Sequence, residues 1–327
     1  MLSKNDIEKS PSVFIIPYYS ENSKSKEFLQ ETLDGLYKQT DNNWQAVIVD
    51  DASKIDEQNY LLKLEEKLSK KIKVFLLKNN CGQGVCRNIG IIWACKIGAP
   101  IVLFNDADDI SHPQRLEVVK ETFLSNDDIG LVYSTFNIID ELSQHVLSEQ
   151  LSPSILEILT SHQSNQVEGK DAWIRIGTET GYTNKTSSTS VLTKYAYRCP
   201  FPAERASEDS HTWMRLSANG ASFKYISNIP TLYRIPTYTM GQASRTRLGP
   251  KVFNEIKARV DSDGFLKAIE IAVSKGSIKQ ENIPALISKF YNRLAITMMK
   301  EEENALVKKL LEKADYYAKI DLIYAGL

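Results

Sequence analysis

Four short apolar runs punctuate the first third of the chain: Val13-Phe14-Ile15-Ile16, Ala46-Val47-Ile48-Val49, residues 72–77 and Ile101-Val102-Leu103-Phe104. Each is rich in β-branched or aromatic side chains and closes on a polar or turn-forming residue, respectively Pro17, Asp50, Lys78 and Asn105. A continuous apolar run of that length fits a strand covered on both faces, as in a parallel sheet. Between the runs the apolar positions switch to helical spacing. Phe28, Leu29, Leu33 and Leu36 recur at helical spacing, as do Leu61, Leu62, Leu64 and Leu68, and residues 87–96 supply a third helix. Strand alternating with helix predicts an α/β fold, with a mostly parallel, Rossmann-like central sheet flanked by helices.

The pattern weakens further on. Leu131-Val132-Tyr133 predicts another strand and residues 208–219 a helix, while residues 150–190 are rich in Ser, Thr and Asn with little period. Residues 237–249 are polar, carry Arg245 and Arg247, and predict a loop. Amphipathic segments near 252–274, 284–300 and 303–319 predict a helical C-terminal extension, the first interrupted at Gly264. The chain therefore divides into 1–240, with halves of about 10–125 and 126–240, and a loop-plus-helix extension over 241–327.

Composition narrows the function classes. With 42% hydrophobic residues, and 40 Lys+Arg against 41 Asp+Glu, the chain is neither disordered nor basic. It lacks the field that draws nucleic acid. Cys81, Cys86, Cys95 and Cys199 form no Cys-x-x-Cys pair, which argues against a zinc site or disulfide framework. The first twelve residues hold no apolar signal core, and the stretch 89–104 is too short and too broken to span a bilayer. These features predict a soluble, cytoplasmic protein.

Candidate chemistry gathers immediately after the apolar runs, where the carboxyl ends of parallel strands form a ligand crevice. Asp106-Ala107-Asp108-Asp109 is the densest cluster of carboxylates. It reads either as an Mn2+ or Mg2+ site completed by substrate phosphates or as a helix cap. An EF-hand is excluded, because Ile110 and Ser111 stand where a ligand and a glycine are required. Glu208-Asp209 opens a helix and reads either as a general base or as first-turn capping. Gly82 and Gly84 permit close backbone approach, and Arg87 follows within reach of a phosphate. Tyr18 and Tyr19 suit base stacking or simple packing.

In this order the motifs resemble the family 2 glycosyltransferases of GT-A fold. Residues 13–20 resemble that family's first strand and Pro-Thr-Tyr-Asn turn, and Val49-Asp50-Asp51-Ala52-Ser53 its Val-Asp-Asp-Gly-Ser element. Residues 80–88 are similar to its Asn-x-Gly-x-x-x-Ala-Arg-Asn segment, and residues 104–116 to its Asp-x-Asp stretch. Ser207-Glu208-Asp209 is similar to its late Glu-Asp motif, and Tyr233-Arg234 to the Tyr-Arg before a mobile loop. The resemblance implies that Pro17, Tyr19, Asp51, Arg87 and Asp106 contact the nucleotide sugar. It implies that Asp108 and Asp106 hold Mn2+ or Mg2+, and that Asp209 is the base. The polar segment 237–249 reads either as a lid that brings Arg245 or Arg247 to the diphosphate or as a plain linker, and Glu208 and His211 are additional candidates, His211 as an extra metal ligand or a helix-surface residue.

The implied reaction is inverting hexosyl transfer from a nucleoside diphosphate sugar, UDP-sugar favoured, to a glycan, lipid-linked or protein acceptor. Bacterial surface glycan synthesis is the expected setting. The processive Gln-x-x-Arg-Trp signature is replaced after Asp209 by His211-Thr212-Trp213-Met214-Arg215, which implies single-sugar addition. The C-terminal helices would recognise acceptor, form a homodimer or rest peripherally on the inner face of a membrane. Competing readings are an inactive nucleotide-sugar-binding scaffold and a sugar nucleotidyltransferase. The second would need a glycine-rich loop after the first strand, where Pro17-Tyr18-Tyr19-Ser20 stands.

Overall fold

The computed structural model describes residues 4–20, 24–151, 153–236 and 243–324. In chain order the first half runs α1 (Lys4–Lys9), β1 (Ser12–Tyr18), α2 (Ser25–Tyr37), β2 (Trp44–Asp50), α3 (Ile55–Lys67), β3 (Ile72–Leu76), α4 (Gln83–Lys96), β4 (Ile101–Phe104), α5 (Arg115–Ser125) and β5 (Ile129–Ile139). The second half continues with α6 (Pro153–Ser164), α7 (Ala172–Arg175), β6 (Thr189–Leu192), α8 (Thr193–Arg198), α9 (Glu208–Ala218) and β7 (Ser222–Arg234). It closes with α10 (Ala243–Leu248), α11 (Pro250–Ser274), α12 (Ile283–Lys300) and α13 (Asn304–Tyr324). The seven strands form one sheet in the order β3-β2-β1-β4-β6-β5-β7. All neighbours are parallel except β6, which runs antiparallel to β4 and β5.

The apolar runs are continuous because both faces of the sheet are covered. Val13, Ile15, Val47 and Val49 join one core; Phe14, Ile16, Ala46 and Ile48 join the other. The second core is closed by Leu29, Leu33 and Leu36 of α2 and by Leu116 and Val119 of α5. The first is closed by α4, α9 and the C-terminal helices, with Phe265 of α11 stacked on Phe290 of α12 at 4.4 Å. The helical extension thus shares a core with β1 and β2. Among the described residues no helix is long and apolar enough to cross a membrane.

Three sequence expectations change. The weakly periodic stretch 150–190 contains α6 and the start of β6. In β6, Thr189 and Ser190 are fully buried. Their polar groups are satisfied: Arg115 donates to the Thr189 carbonyl at 3.0 Å, and Asn184 to Thr189 Oγ1 at 2.7 Å. Strand β7 was not signalled either, because it is an edge strand whose register with β5 shifts at a bulge. Of the loop predicted over 237–249, residues 237–242 lie outside the described residues, while 243–248 form helix α10. Tertiary contacts supply what an apolar period would have given: Arg245 pairs with Glu301 and lies over the Phe253 ring.

Gly264 does not interrupt α11. It lets α11 press against α9, since a Cβ there would lie 2.7 Å from His211 Cα. In an open helix Gly→Ala gains about 1 kcal/mol; overpacking costs about 1–3 kcal/mol, and backbone cannot yield easily. Gly264→Ala is therefore expected to destabilise the protein by up to about 2 kcal/mol in urea unfolding. A raised midpoint would mean the two helices are not in forced contact there.

Candidate active site

The carboxyl ends of β1, β2 and β4 open into a cavity of about 1520 Å³. Drug-sized pockets hold about 300–1,000 Å³, so there is room for a nucleotide sugar and part of a second substrate. Pro17, Tyr19, Asp51, Arg87, Asp106, Asp108, Glu208 and Asp209 all line it, as do Arg245 and Arg247. Residues separated by more than 200 positions thus meet in one crevice.

Its centre is a buried guanidinium. Arg87, on the second turn of α4, is 1% exposed. One amino group donates to Asp106 at 2.8 Å and the other to Glu208 at 2.7 Å. Burial works against its charge, but Asp106 and Glu208 more than offset that and raise its pKa. Glu208 also accepts from Gln83 at 2.7 Å. Desolvation, then the neighbouring Asp209, push the Glu208 carboxyl up to about 7. The loop that carries Glu208 comes this close to α4 because Gly84 has no side chain: a Cβ there would lie 2.7 Å from the Pro202 carbonyl.

Asp209 is held from two sides. Its Oδ2 accepts from the Tyr182 hydroxyl at 2.6 Å and from Thr186 Oγ1 at 3.3 Å, and its Oδ1 accepts from the Ser210 amide at 2.7 Å. Ser207, just before α9, adopts a left-handed backbone with φ 60°. Its hydroxyl donates to buried Asp261 of α11 at 2.8 Å.

The Asp106–Asp109 loop is clamped by Arg234 at the end of β7. The Arg234 backbone amide donates to Asp109 Oδ1 at 2.8 Å, its Nε to the Asp108 carbonyl at 2.9 Å, and one terminal amino group to Glu31 at 2.6 Å. Asp109 is fully buried and its Oδ2 has no hydrogen-bond partner. Burial, then the charges of Asp108 and Asp106, hold its carboxyl far above the usual range. Such crowding of carboxylates is the environment a hard cation relieves. Among the described residues no group of three His, Cys, Asp or Glu side chains could hold a metal alone. The donor set fits a cation bound by one or two carboxylates and substrate phosphates.

Other expected residues resolve differently. Tyr19 is 44% exposed at the cavity, whereas Tyr18 is buried and donates to Glu57 at 2.9 Å. Both Asp51 carboxylate oxygens accept backbone amides, from Cys81 at 2.6 Å and Gly82 at 2.8 Å, so Asp51 also shapes the turn into α4. Arg87 reaches the cavity wall with both amino groups already engaged by carboxylates. His211 does not line the cavity. Its Nε2 faces Asp263 at 2.8 Å, its Nδ1 accepts from Arg215 at 3.0 Å, and burial lowers its pKa to about 4. A neutral imidazole so occupied joins α9 to α11 and is not placed to ligate a metal in this crevice.

One cavity residue had no signal in the sequence. Lys185, from the polar stretch before β6, is 3% exposed. Its ammonium lies 4.8 Å from the Tyr233 ring centre, 5.3 Å from Tyr182 and 5.8 Å from Phe136. Burial lowers its pKa to about 8, against the opposing charges of Asp209, Asp109 and Asp106.

Comparison with known proteins accords with this geometry. The family model described as Glycosyl transferase family 2 matches residues 13–187, more than half of the chain. An uncharacterised glycosyltransferase of Nostoc sp. (strain PCC 7120) is 30% identical over 145 residues, covering 42% of this chain and 44% of its own length. One of Methanocaldococcus jannaschii is 26% identical over 242 residues, covering 71% and 73%. The S. aureus TarS 1–349 structure in complex with UDP-GlcNAc superposes with a TM-score of 0.56 at 17% identity, covering 97% of this chain and 92% of that one. The likeness is one of fold, the GT-A arrangement of sheet and helices.

Removing Arg87 leaves Glu208 buried without its cation. Arg87→Met is expected to cost about 3–5 kcal/mol in urea unfolding; a loss under about 1 kcal/mol would mean the pair behaves as a surface ion pair. Glu208 gives a pH signature. Its pKa is raised on folding from 4.5 to about 7, so the folded chain binds the proton more tightly. The stability it contributes is complete below 4.5 and lost as pH rises through about 7. Glu208→Gln should flatten the stability profile across that window, and an unchanged slope would refute the assignment.

Proposed function

The chain belongs to glycosyl transferase family 2, and from that membership we propose that it transfers a single sugar from a nucleoside diphosphate sugar to an acceptor hydroxyl, with inversion. The observation that carries this reading is the Arg87 bridge, which joins the loop of Asp106 and Asp108 to the start of the helix bearing Asp209. The cation-binding pair and the base then face one crevice large enough for both substrates.

Each side chain has a task on this reading. Tyr19, open at the rim, stacks on the base, while Pro17 and Asp51 shape the floor beneath the nucleoside. Asp108 and Asp106 would hold Mn2+ or Mg2+, which when bound offsets negative charge on the departing diphosphate. Asp209 accepts the proton of the attacking hydroxyl, and Tyr182 and Thr186 fix its orientation by donating to the carboxylate. Glu208 pairs with Arg87 and keeps the helix start in place. The donor is a UDP-sugar by preference, and a bacterial surface glycan or glycoconjugate the acceptor class.

Asp209→Asn tests the assignment. Transfer, followed by nucleoside diphosphate release, is expected to fall by about 10²–10⁴-fold, with nucleotide-sugar affinity in calorimetry unchanged. Chelation by EDTA is expected to stop transfer by the unaltered protein, and added Mn2+ or Mg2+ to restore it. Loss of donor binding together with unfolding in Asp209→Asn would assign Asp209 to capping α9 alone.

A further inference from the structure

We propose that Lys185 donates hydrogen bonds to hydroxyl oxygens of the sugar being transferred, and so determines which donor sugars the cavity accepts. The inference rests on the glycosyl-transfer reading and adds the residue that reads the sugar.

Four observations lead to it. First, Lys185 lines the cavity yet is 3% exposed, so its ammonium has lost most of its water. Second, it donates no hydrogen bond to any described residue; three aromatic rings surround it instead. A desolvated ammonium with three unused donors is costly unless a bound molecule supplies oxygens. Tyr182 and Tyr233 also line the cavity, so the ammonium is approached from that side.

Third, the segment 182–187 spans the distance between the two chemical ends of the site. Tyr182 and Thr186 donate to the Asp209 carboxylate. Ser187 Oγ accepts the Asp106 backbone amide at 2.9 Å. Lys185 lies between those contacts. In a transfer reaction the group that joins the base to the cation-bound diphosphate is the sugar itself. Fourth, burial disfavours the ammonium while the Asp209 carboxylate favours it, which sets its unused donors beside the proposed base.

The test compares nucleotide with nucleotide sugar. UDP, UDP-GlcNAc, GDP and GDP-mannose are titrated with Mn2+ into the unaltered protein and into Lys185→Met and Lys185→Gln. For the unaltered protein one nucleotide sugar should bind more tightly than its parent nucleotide. In both variants the nucleotide should keep its affinity, while the added affinity from the sugar is lost and kcat/KM falls by about 10- to 100-fold, the range for a hydrogen bond to a charged donor. Retained nucleotide binding also reports a folded site, and the glutamine variant carries the test if the methionine variant unfolds. Equal loss of nucleotide and nucleotide-sugar affinity in a folded variant would move Lys185 to the diphosphate and overturn the proposal. So would a change confined to the acceptor KM. If the unaltered protein binds none of the four probes, the glycosyl-transfer reading itself falls, and this inference falls with it.

Discussion

The site depends on one desolvated cation. Arg87 gives up nearly all of its hydration and recovers it from two carboxylates brought by different parts of the chain. Asp106 lies on the loop after β4, Glu208 at the start of α9, and Arg87 itself on α4. A lysine could not substitute, because a single ammonium lacks the planar fork that reaches two carboxylates on opposite sides. The guanidinium is thus a three-way joint, and the positions of Asp108 and Asp209 follow from it.

The first four strands were legible because their runs of apolar residues are buried on both faces, with alternate side chains entering opposite cores. Strand β6 was illegible for the opposite reason. Thr189 and Ser190 are as deeply buried as any valine, and their burial is stabilised by a partner distant in sequence, Arg115, together with nearby Asn184. Local pattern carries no trace of such partners. Strand β7 has a strand neighbour only in β5 and contains a bulge, so its polar and apolar positions do not alternate regularly.

The site divides in the same way. That Asp106, Asp108 and Asp209 would line one cavity was readable because carboxylates beyond strand ends or at a helix start stand out against apolar surroundings. The burial of His211 was not legible, because nothing near it in sequence announces Asp263 or the close approach of α11. Lys185 sits in a stretch dominated by Ser, Thr and Asn. Its aromatic enclosure is built from β5, β7 and the segment before β6, three places no spacing rule connects.

Ser207 holds a left-handed backbone that a non-glycine residue adopts only at a cost, about 1–2 kcal/mol, and Asp261 on the C-terminal layer accepts its hydroxyl. The seat of Asp209 is therefore fixed partly from outside the sheet. Exchanging that layer between relatives would also reseat the Asp209 carboxylate. Drift in the outer helices is thus filtered by the geometry of a carboxylate they do not carry.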